Sequence, residues 1–415
     1  MSRFRSSRSS LLFSTLTGAL LLSMSACVLE DDVGESQAGP ALEEGAQAVS
    51  SKLVRATRQV AGEYLVVLRD AEMAARNQRV NDVATEMVKD VGGELMYDYE
   101  SAIKGFAAKM GEADVKRLLA DPRVEYIEEN GVFELNTTQT GATWGIDRID
   151  QRNRPLSTTY NYTSDGTGVH AYVIDTGIRR AHTQFTGRIG NHFDAITSGG
   201  TGEDCQGHGT HVSGTVGGTI HGVAKRVTLH PVRVFGCTGS TTTAAIVAGV
   251  NWVTSNHVKP AVANMSLGGG ISSAMDTAVN NSIGAGVTYA LAAGNSAANA
   301  CNTSPARVPA AITVAASSST DAHASFSNFG SCVDLYAPGV AVTSAWLTSN
   351  TATASLSGTS MASPHVAGVV ARLLQSGNLT PAAVAAQITS TATPNVISGV
   401  PAGTPNRLLF RSPSL

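Results

Sequence analysis

The sequence predicts an α/β body built on a mainly parallel sheet with helices on both faces, preceded in the chain by a small α+β domain of split-βαβ, ferredoxin-like order. Three observations carry this. From Trp144 onward, short continuous apolar strands ("GVHAYVID", "VTLHPVRV", "AVANMSL", "VTYALAA", "ITVAA", "CVDLYAP") alternate with helical stretches, as in a sheet buried on both sides. Between Glu63 and Leu135 the strand and helix signals follow the order β-α-β-β-α-β. Between these regions "LNTTQTGATWG" is polar and fits neither pattern, which marks a boundary.

Taken in order, residues 1–27 read as an export signal: Arg3, Arg5 and Arg8, then the apolar "LLFSTLTGALLL", then small residues ending at Cys27 in "MSAC". The apolar run is short for a bilayer span. "SAC" resembles a bacterial lipobox, with Met24 where Leu is commoner, so Cys27 is a candidate for lipidation and plain signal-peptidase cleavage is the alternative. Residues 28–61 are acidic and rich in Gly, Ala and Ser, a flexible tether. Residues 62–136 form the small domain: strand "EYLVVLR", a long amphipathic helix from Ala71 to Val91, strands "GELMYDY" and "IKGFAAKM", helix "ADVKRLLA" and strand "VEYIEENGVFEL". Residues 141–415 form the α/β body, and no C-terminal sorting domain is expected after "LLFRSPSL".

Composition narrows the function. A net charge of -3 and a pI near 6.4 give no basic surplus for nucleic acid or an anionic membrane. Five cysteines are present, Cys27 apart and Cys205, Cys237, Cys301 and Cys332 together, an even set suited to disulfides in an exported protein. Of three pairings, Cys205 with Cys237 and Cys301 with Cys332 is the most local.

The stretch "GTSMASPHVAG" puts Ser360 among small residues at the start of a helical run, where a substrate could approach. Such a serine needs a base, and all ten histidines lie after Trp144 with only His365 beyond Ser360. An α/β-hydrolase order of Ser, acid, His is therefore excluded. At the carboxyl ends of α/β strands, where ligands gather, stand Asp175 in "VID" and Asn295 in "LAAGN". His208 in "GHGTHVSGTVGG" follows glycines at a helix start. His208 would take the Ser360 proton, Asp175 would hold the imidazole, and Asn295 with the Ser360 N–H would donate to an oxyanion. A metal pair of His208 with His211 lacks the glutamate of H-E-x-x-H, and His211 reads as a helix packing residue. Pro364 and Gly368 read as structural, the proline in the first helical turn.

The segments "VIDTGI", "GHGTHVSG", "SLGGG", "AAGN" and "GTSMASPHVAG" resemble the signatures of subtilisin-like serine endopeptidases, the subtilase family, and within it the proteinase K and aqualysin branch. The order Asp, His, Ser is the one known for subtilisin. The likeness runs from about Trp144 to Leu409, and residues 62 to 135 resemble the family's inhibitor-type propeptide. It implies a triad of Asp175, His208 and Ser360 with Asn295 as oxyanion donor. Gly239, Ser240, Ser266, Leu267 and Gly268 would be strand edges that pair with an extended peptide. Ala292, Ala293 and Gly294 would line a roomy, uncharged P1 pocket favouring apolar or aromatic residues. The four clustered cysteines match two disulfides of aqualysin-like members. Asp334, with the Pro309 and Ala311 carbonyls, matches a structural calcium site. Asp147, Asp150 and Gln151 resemble a second one, for which Ser157 and Thr159 are weak replacements of the further ligands.

The resulting expectation is a secreted, monomeric serine endopeptidase acting on protein or peptide substrates and binding no nucleic acid. It would be made as a precursor whose own small domain inhibits it until cleavage between Leu135 and Gly141. The mature enzyme would be extracellular, and lipidation of Cys27 would make only the precursor a transient membrane lipoprotein. A hydrolase of non-peptide esters and a protease-like binding protein that keeps its small domain are the rival readings.

Overall fold

The computed structural model describes residues 52–56, 59–132, 137–377 and 379–413. The signal segment, Cys27 and most of the tether lie outside these residues. The chain divides into two compact units, Met1–Val132 and Phe133–Leu415. No helix among the described residues is long and apolar enough to cross a membrane.

The first unit runs β1 (Leu53–Val54), β2 (Gln59–Leu68), α1 (Asp70–Arg76), α2 (Val80–Val91), β3 (Glu94–Tyr99), β4 (Gly105–Lys109), α3 (Glu112–Leu119) and β5 (Val124–Gly131). The sheet order β1-β5-β2-β4-β3 contains the ferredoxin-like arrangement, with β1 added in parallel to β5. Two expectations need correction. The tether is not structureless to residue 61, because Leu53 and Val54 pair with Ile127 and Glu128 and β2 already begins at Gln59. The helix expected from Ala71 to Val91 is two helices. Asn77 enters the left-handed region at φ 49 and closes α1, a conformation Asn tolerates, and the α2 start is capped from afar by Glu100 Oε1 on the Val80 N–H at 2.9 Å.

The second unit opens with β6 (Thr137–Thr140), α4 (Trp144–Ile149) and β7 (Thr159–Tyr162); β6 pairs antiparallel with β7. There follow β8 (His170–Asp175), β9 (Phe193–Asp194), α5 (His208–Gly217), β10 (Thr228–Arg233), α6 (Thr243–Asn256), β11 (Ala261–Met265), α7 (Ser273–Gly284), β12 (Thr288–Ala292), β13 (Ile312–Ser317) and β14 (Leu335–Pro338). The chain ends with hairpin β15 (Val342–Ala345) and β16 (Thr353–Leu356), helices α8 (Thr359–Leu374) and α9 (Pro381–Thr391), and strands β17 (Thr393–Pro394) and β18 (Arg407–Leu408). The helix opened at Ser360 is not the last one, because α9 follows it, with Thr380 as its N-cap and Pro381 at its first position.

The main sheet has the order β17-β18-β14-β13-β12-β11-β8-β10-β9, parallel except where β17 meets β18. Successive strand residues feed opposite faces, as a pleat requires. Val173, Val262, Ala290 and Val314 pack with Val212 and Val216 of α5 and Val366 and Val370 of α8. Ile174, Ala263, Met265 and Leu291 pack with Ile246, Val250 and Val253 of α6 and Met275 and Val279 of α7. Both faces are covered, which is why the strands read as unbroken apolar runs. The cysteines form Cys205–Cys237 and Cys301–Cys332, the most local of the three schemes.

Candidate active site

The parallel strands β8, β11 and β12 bring their carboxyl ends to one edge. β8 ends at Asp175, which is 1% exposed. The chain then turns at Gly177, φ 104, where an added Cβ would stand 2.5 Å from the Gly202 carbonyl, so glycine is required. His208 is the first residue of α5, and its Nδ1 lies 2.8 Å from Asp175 Oδ1. Donation from Nδ1 leaves Nε2 as the free base. Burial pulls the His208 pKa down, but the charge and hydrogen bond of Asp175, with the charge of Asp204 behind, outweigh it and the net shift is upward.

Ser360 is the second residue of α8. Pro364 is the sixth helical residue, beyond the first turn where the sequence placed it, and its missing N–H leaves the Ser360 carbonyl without the usual partner. Ser266 Oγ fills that gap, donating to Ser360 O at 2.8 Å, while Asn264 Nδ2 donates to Ser266 Oγ at 2.9 Å. In return, Ser360 Oγ donates to Ser266 O at 3.2 Å. Among the described residues no hydrogen bond joins Ser360 to His208. Its hydroxyl is directed to the Ser266 carbonyl instead, and catalytic hydrogen bonds commonly tighten only once substrate is bound.

Asn295 follows β12. Its Oδ1 accepts from Thr359 N at 2.8 Å and Thr359 Oγ1 at 2.9 Å, and Thr359 Oγ1 in turn accepts from Gly294 N at 3.0 Å. With the amide oxygen committed, Nδ2 is the end left to a ligand. The loop that carries it is held by buried Asn328, whose Nδ2 donates to Ala293 O at 2.9 Å and whose Oδ1 accepts from Ser296 N and Ala298 N, both at 3.0 Å. Gly294, at φ 104, leaves no room for a Cβ, which would fall 2.4 Å from Asn328 Nδ2.

Asp175, His208, Asn295 and Ser360 face one cavity of about 580 Å³. Gly239, Ser266, Leu267, Gly268, Ala292 and Gly294 also line it. Two candidates are not brought to it. Ala293 is fully buried and packs with Ala300 and Tyr336, because the strand pleat turns it inward. Ser240 closes its own turn, its carbonyl accepting from Gly236 N at 3.0 Å.

The residues missed in the sequence are supporting ones: Thr359, Asn328, Gln206, whose Oε1 accepts from His208 N at 2.8 Å, and Asp204. An Asp shortly before a helix start was a legible capping signal for Asp204. Nothing local marked Asn328, which acts across 30 residues or more. His211 is buried and its Nε2 reaches the Val342 and Ala354 carbonyls at 3.0 and 3.1 Å, so it ties α5 to the β15–β16 hairpin.

Among the described residues no group of three or more His, Cys, Asp or Glu could hold a metal. Asp334 accepts from Thr313 N at 2.8 Å, and burial pushes its carboxyl up to about 6. Asp147 uses both oxygens on the 157–159 turn: Oδ1 accepts from Ser157 N at 3.2 Å and Oδ2 from Thr158 N at 2.7 Å. Gln151 Oε1 also accepts from Ser157 N, at 3.2 Å. Asp150 is pushed up to about 6, by burial first and then by Asp147, and its Oδ1 is a buried atom without a hydrogen-bond partner.

Residues 166–408 match the "Subtilase family" and residues 63–136 the "Peptidase inhibitor I9" family. An extracellular serine proteinase of Thermus sp. (strain Rt41A) is 57% identical over 313 residues, 75% of this chain and 76% of the relative. Alkaline serine exoprotease A of Vibrio alginolyticus is 46% identical over 365 residues, 85% and 67% of the two chains. The crystal structure of a cold adapted subtilisin-like serine proteinase is 52% identical with a TM-score of 0.63, covering 66% of this chain and 99% of its own.

Proposed function

Because the chain belongs to the subtilase family and carries a peptidase-inhibitor I9 propeptide, and is therefore a serine endopeptidase, we propose that it cleaves peptides through Asp175, His208 and Ser360. The observation that carries this is the 2.8 Å bond from His208 to Asp175 in the same cavity as Ser360 and the pinned Asn295 amide. Ser360 Oγ attacks the scissile carbonyl carbon while His208 Nε2 takes its proton. Asp175 stabilises the imidazolium. Asn295 Nδ2 and the Ser360 N–H hold the oxyanion, and the C–N bond breaks as His208 passes its proton to the leaving amine. Water, activated by the same histidine, then releases the acyl group. The peptide pairs with the edges at Gly239 and Ser266–Gly268, and the uncharged lining of Ala292 and Gly294 favours an apolar or aromatic P1 residue.

Residues 1–27 export the chain, the following tether leads into the inhibitory unit, and the mature enzyme is extracellular and monomeric. The maturation cut falls before Thr137, because β6 is paired with β7 and a cut after it would discard a paired strand. Calcium would bind Asp334 with the Pro309 and Ala311 carbonyls and supply the charge that this buried carboxylate lacks. For a second ion at Asp147, Asp150 and Gln151, the unpartnered Asp150 Oδ1 speaks in favour, while the 157–159 turn already claims Asp147 and Gln151.

The test is an organophosphonate that reacts only with an activated serine. One adduct on Ser360 with loss of peptide cleavage is expected; adduct on another residue, or cleavage that survives modification of Ser360, overturns the assignment.

A further inference from the structure

We propose that Asp204 is the positioning residue of the general base, a buried carboxylate that locks the segment carrying His208 to the segment carrying Asp175. The inference rests on the triad reading above. Asp204 is 6% exposed and accepts five hydrogen bonds, which saturates a carboxylate. Oδ1 accepts from Thr176 Oγ1 at 2.9 Å, Gln206 N at 2.8 Å and Gly207 N at 2.9 Å. Oδ2 accepts from Thr210 N at 3.0 Å and Thr210 Oγ1 at 2.6 Å.

These partners flank the two members of the pair. Thr176 follows Asp175 directly, and its N–H donates to Asp175 Oδ1 at 2.7 Å; its Oγ1 also accepts from Gly209 N, next to His208, at 2.8 Å. Gly207 and Thr210 bracket His208 on the helix start. The backbone on both sides of the His208–Asp175 bond is therefore fixed to one carboxylate group. The adjacent Cys205 is tied to Cys237, and Arg233, the register partner of Asp175 on β10, donates to Cys205 Sγ at 3.2 Å. This holds the Asp204 loop against the same strand pair.

All five hydrogen bonds come from neutral donors, so the Asp204 charge is not cancelled by them, and it raises the His208 pKa together with Asp175. Of the nearby titratable groups, His211 on α5 interacts with His208 and is held low at about 4 by burial, His365 on α8 is likewise held low, and Arg233 on β10, the register partner of Asp175, is paired with Asp194 at 3.2 Å. Asp204 thus has two effects that separate experimentally: it fixes geometry, and it shifts a titration.

The experiment measures kcat/KM against pH on an uncharged peptide substrate, using full-length chains that mature normally. Asp204→Asn is expected to lower the plateau about tenfold to hundredfold, the size of a small misplacement of a catalytic group, and to move the acid limb to lower pH. Thr176→Val, which breaks the hydroxyl bridge and leaves the Asp204 charge, is expected to lower the plateau with the acid limb in place. Thr176→Ser is expected to restore it. An Asp204→Asn enzyme with a lowered plateau and an unmoved acid limb would reduce Asp204 to a stabilising residue, and an unchanged plateau would remove its role. If Asp204→Asn yields no folded chain, an unchanged kcat/KM in Thr176→Val overturns the proposal by itself. Ser360→Ala, the one chain expected to stay unprocessed, is run beside them: activity in that variant would sink the triad reading, whereas an inactive Ser360→Ala with indifferent Asp204 and Thr176 variants would sink only this one.

Discussion

Helices α5 and α8 each carry a residue of the proposed triad in the first turn, and those turns are finished in opposite ways. At α5 the donors are taken by the protein itself: Asp204 accepts from Gly207 N and Thr210 N, and Gln206 from His208 N. At α8 the Thr359 N–H is taken by Asn295, and among the described residues no acceptor stands on the N–H of Ser360, a residue that lines the cavity. The first four N–H groups of a helix have no partner within it, and together they favour negative charge. Closing them on a carboxylate holds a base still. Leaving one open, beside a fixed amide, keeps a place for charge that exists only during the reaction.

The widest break of this comparison is at the open end. Asn295→Ala removes the Nδ2 donor and is expected to cost about 10²- to 10³-fold in kcat with little change in KM, measured by steady-state peptide hydrolysis. A change confined to KM would mean that Asn295 binds substrate and transition state alike. At the closed end, replacing Cys205 and Cys237 with serine releases the loop that carries Asp204. The chain-entropy cost is about 3 to 4 kcal/mol, read as a lower unfolding midpoint, and replacing Cys301 and Cys332, with a separation of 31 against 32, should cost about the same. Only the first pair is expected to lower kcat as well. The smallest effect lies away from both helices. Asp334, raised to about 6 by burial, binds its proton more tightly folded than unfolded, so in chelator its contribution to stability falls as pH rises from about 4 to about 6 and then levels. Added calcium should flatten that slope in thermal melts, and identical melts with and without calcium would remove the ion from Asp334.

Much of this was legible because the residues that react are also the residues that end strands and start helices. Asp175 closes an apolar run, His208 and Ser360 follow glycines, and Asn295 follows another strand, so position and chemistry coincide in one short word of sequence each. The sheet was legible from a different signal, since strands buried on both faces read as short unbroken apolar runs, told from helices by their length and by the helical stretches between them. What failed depends on partners distant in sequence. The break at Asn77 turns on one left-handed residue and on Glu100, and the pairing of Leu53 with Ile127 leaves no local mark in a Gly- and Ala-rich segment. Pro364 was placed correctly on α8 but one turn early, and the hydroxyl that replaces its missing donor comes from Ser266, 94 residues before the carbonyl it meets. Asp204 sat in plain view ahead of a helix, but its bond to Thr176 exists only once β8 and α5 are together.

The most direct test of the central claim is the intact mass of the exported protein, wild type beside Ser360→Ala. The account predicts that the wild type loses the residues before Thr137 while the Ser360→Ala chain keeps its inhibitory unit. If both remain unprocessed, or both are trimmed at the same place, Ser360 does not cut its own chain, and the reading of α8 as the open, reactive helix start is contradicted.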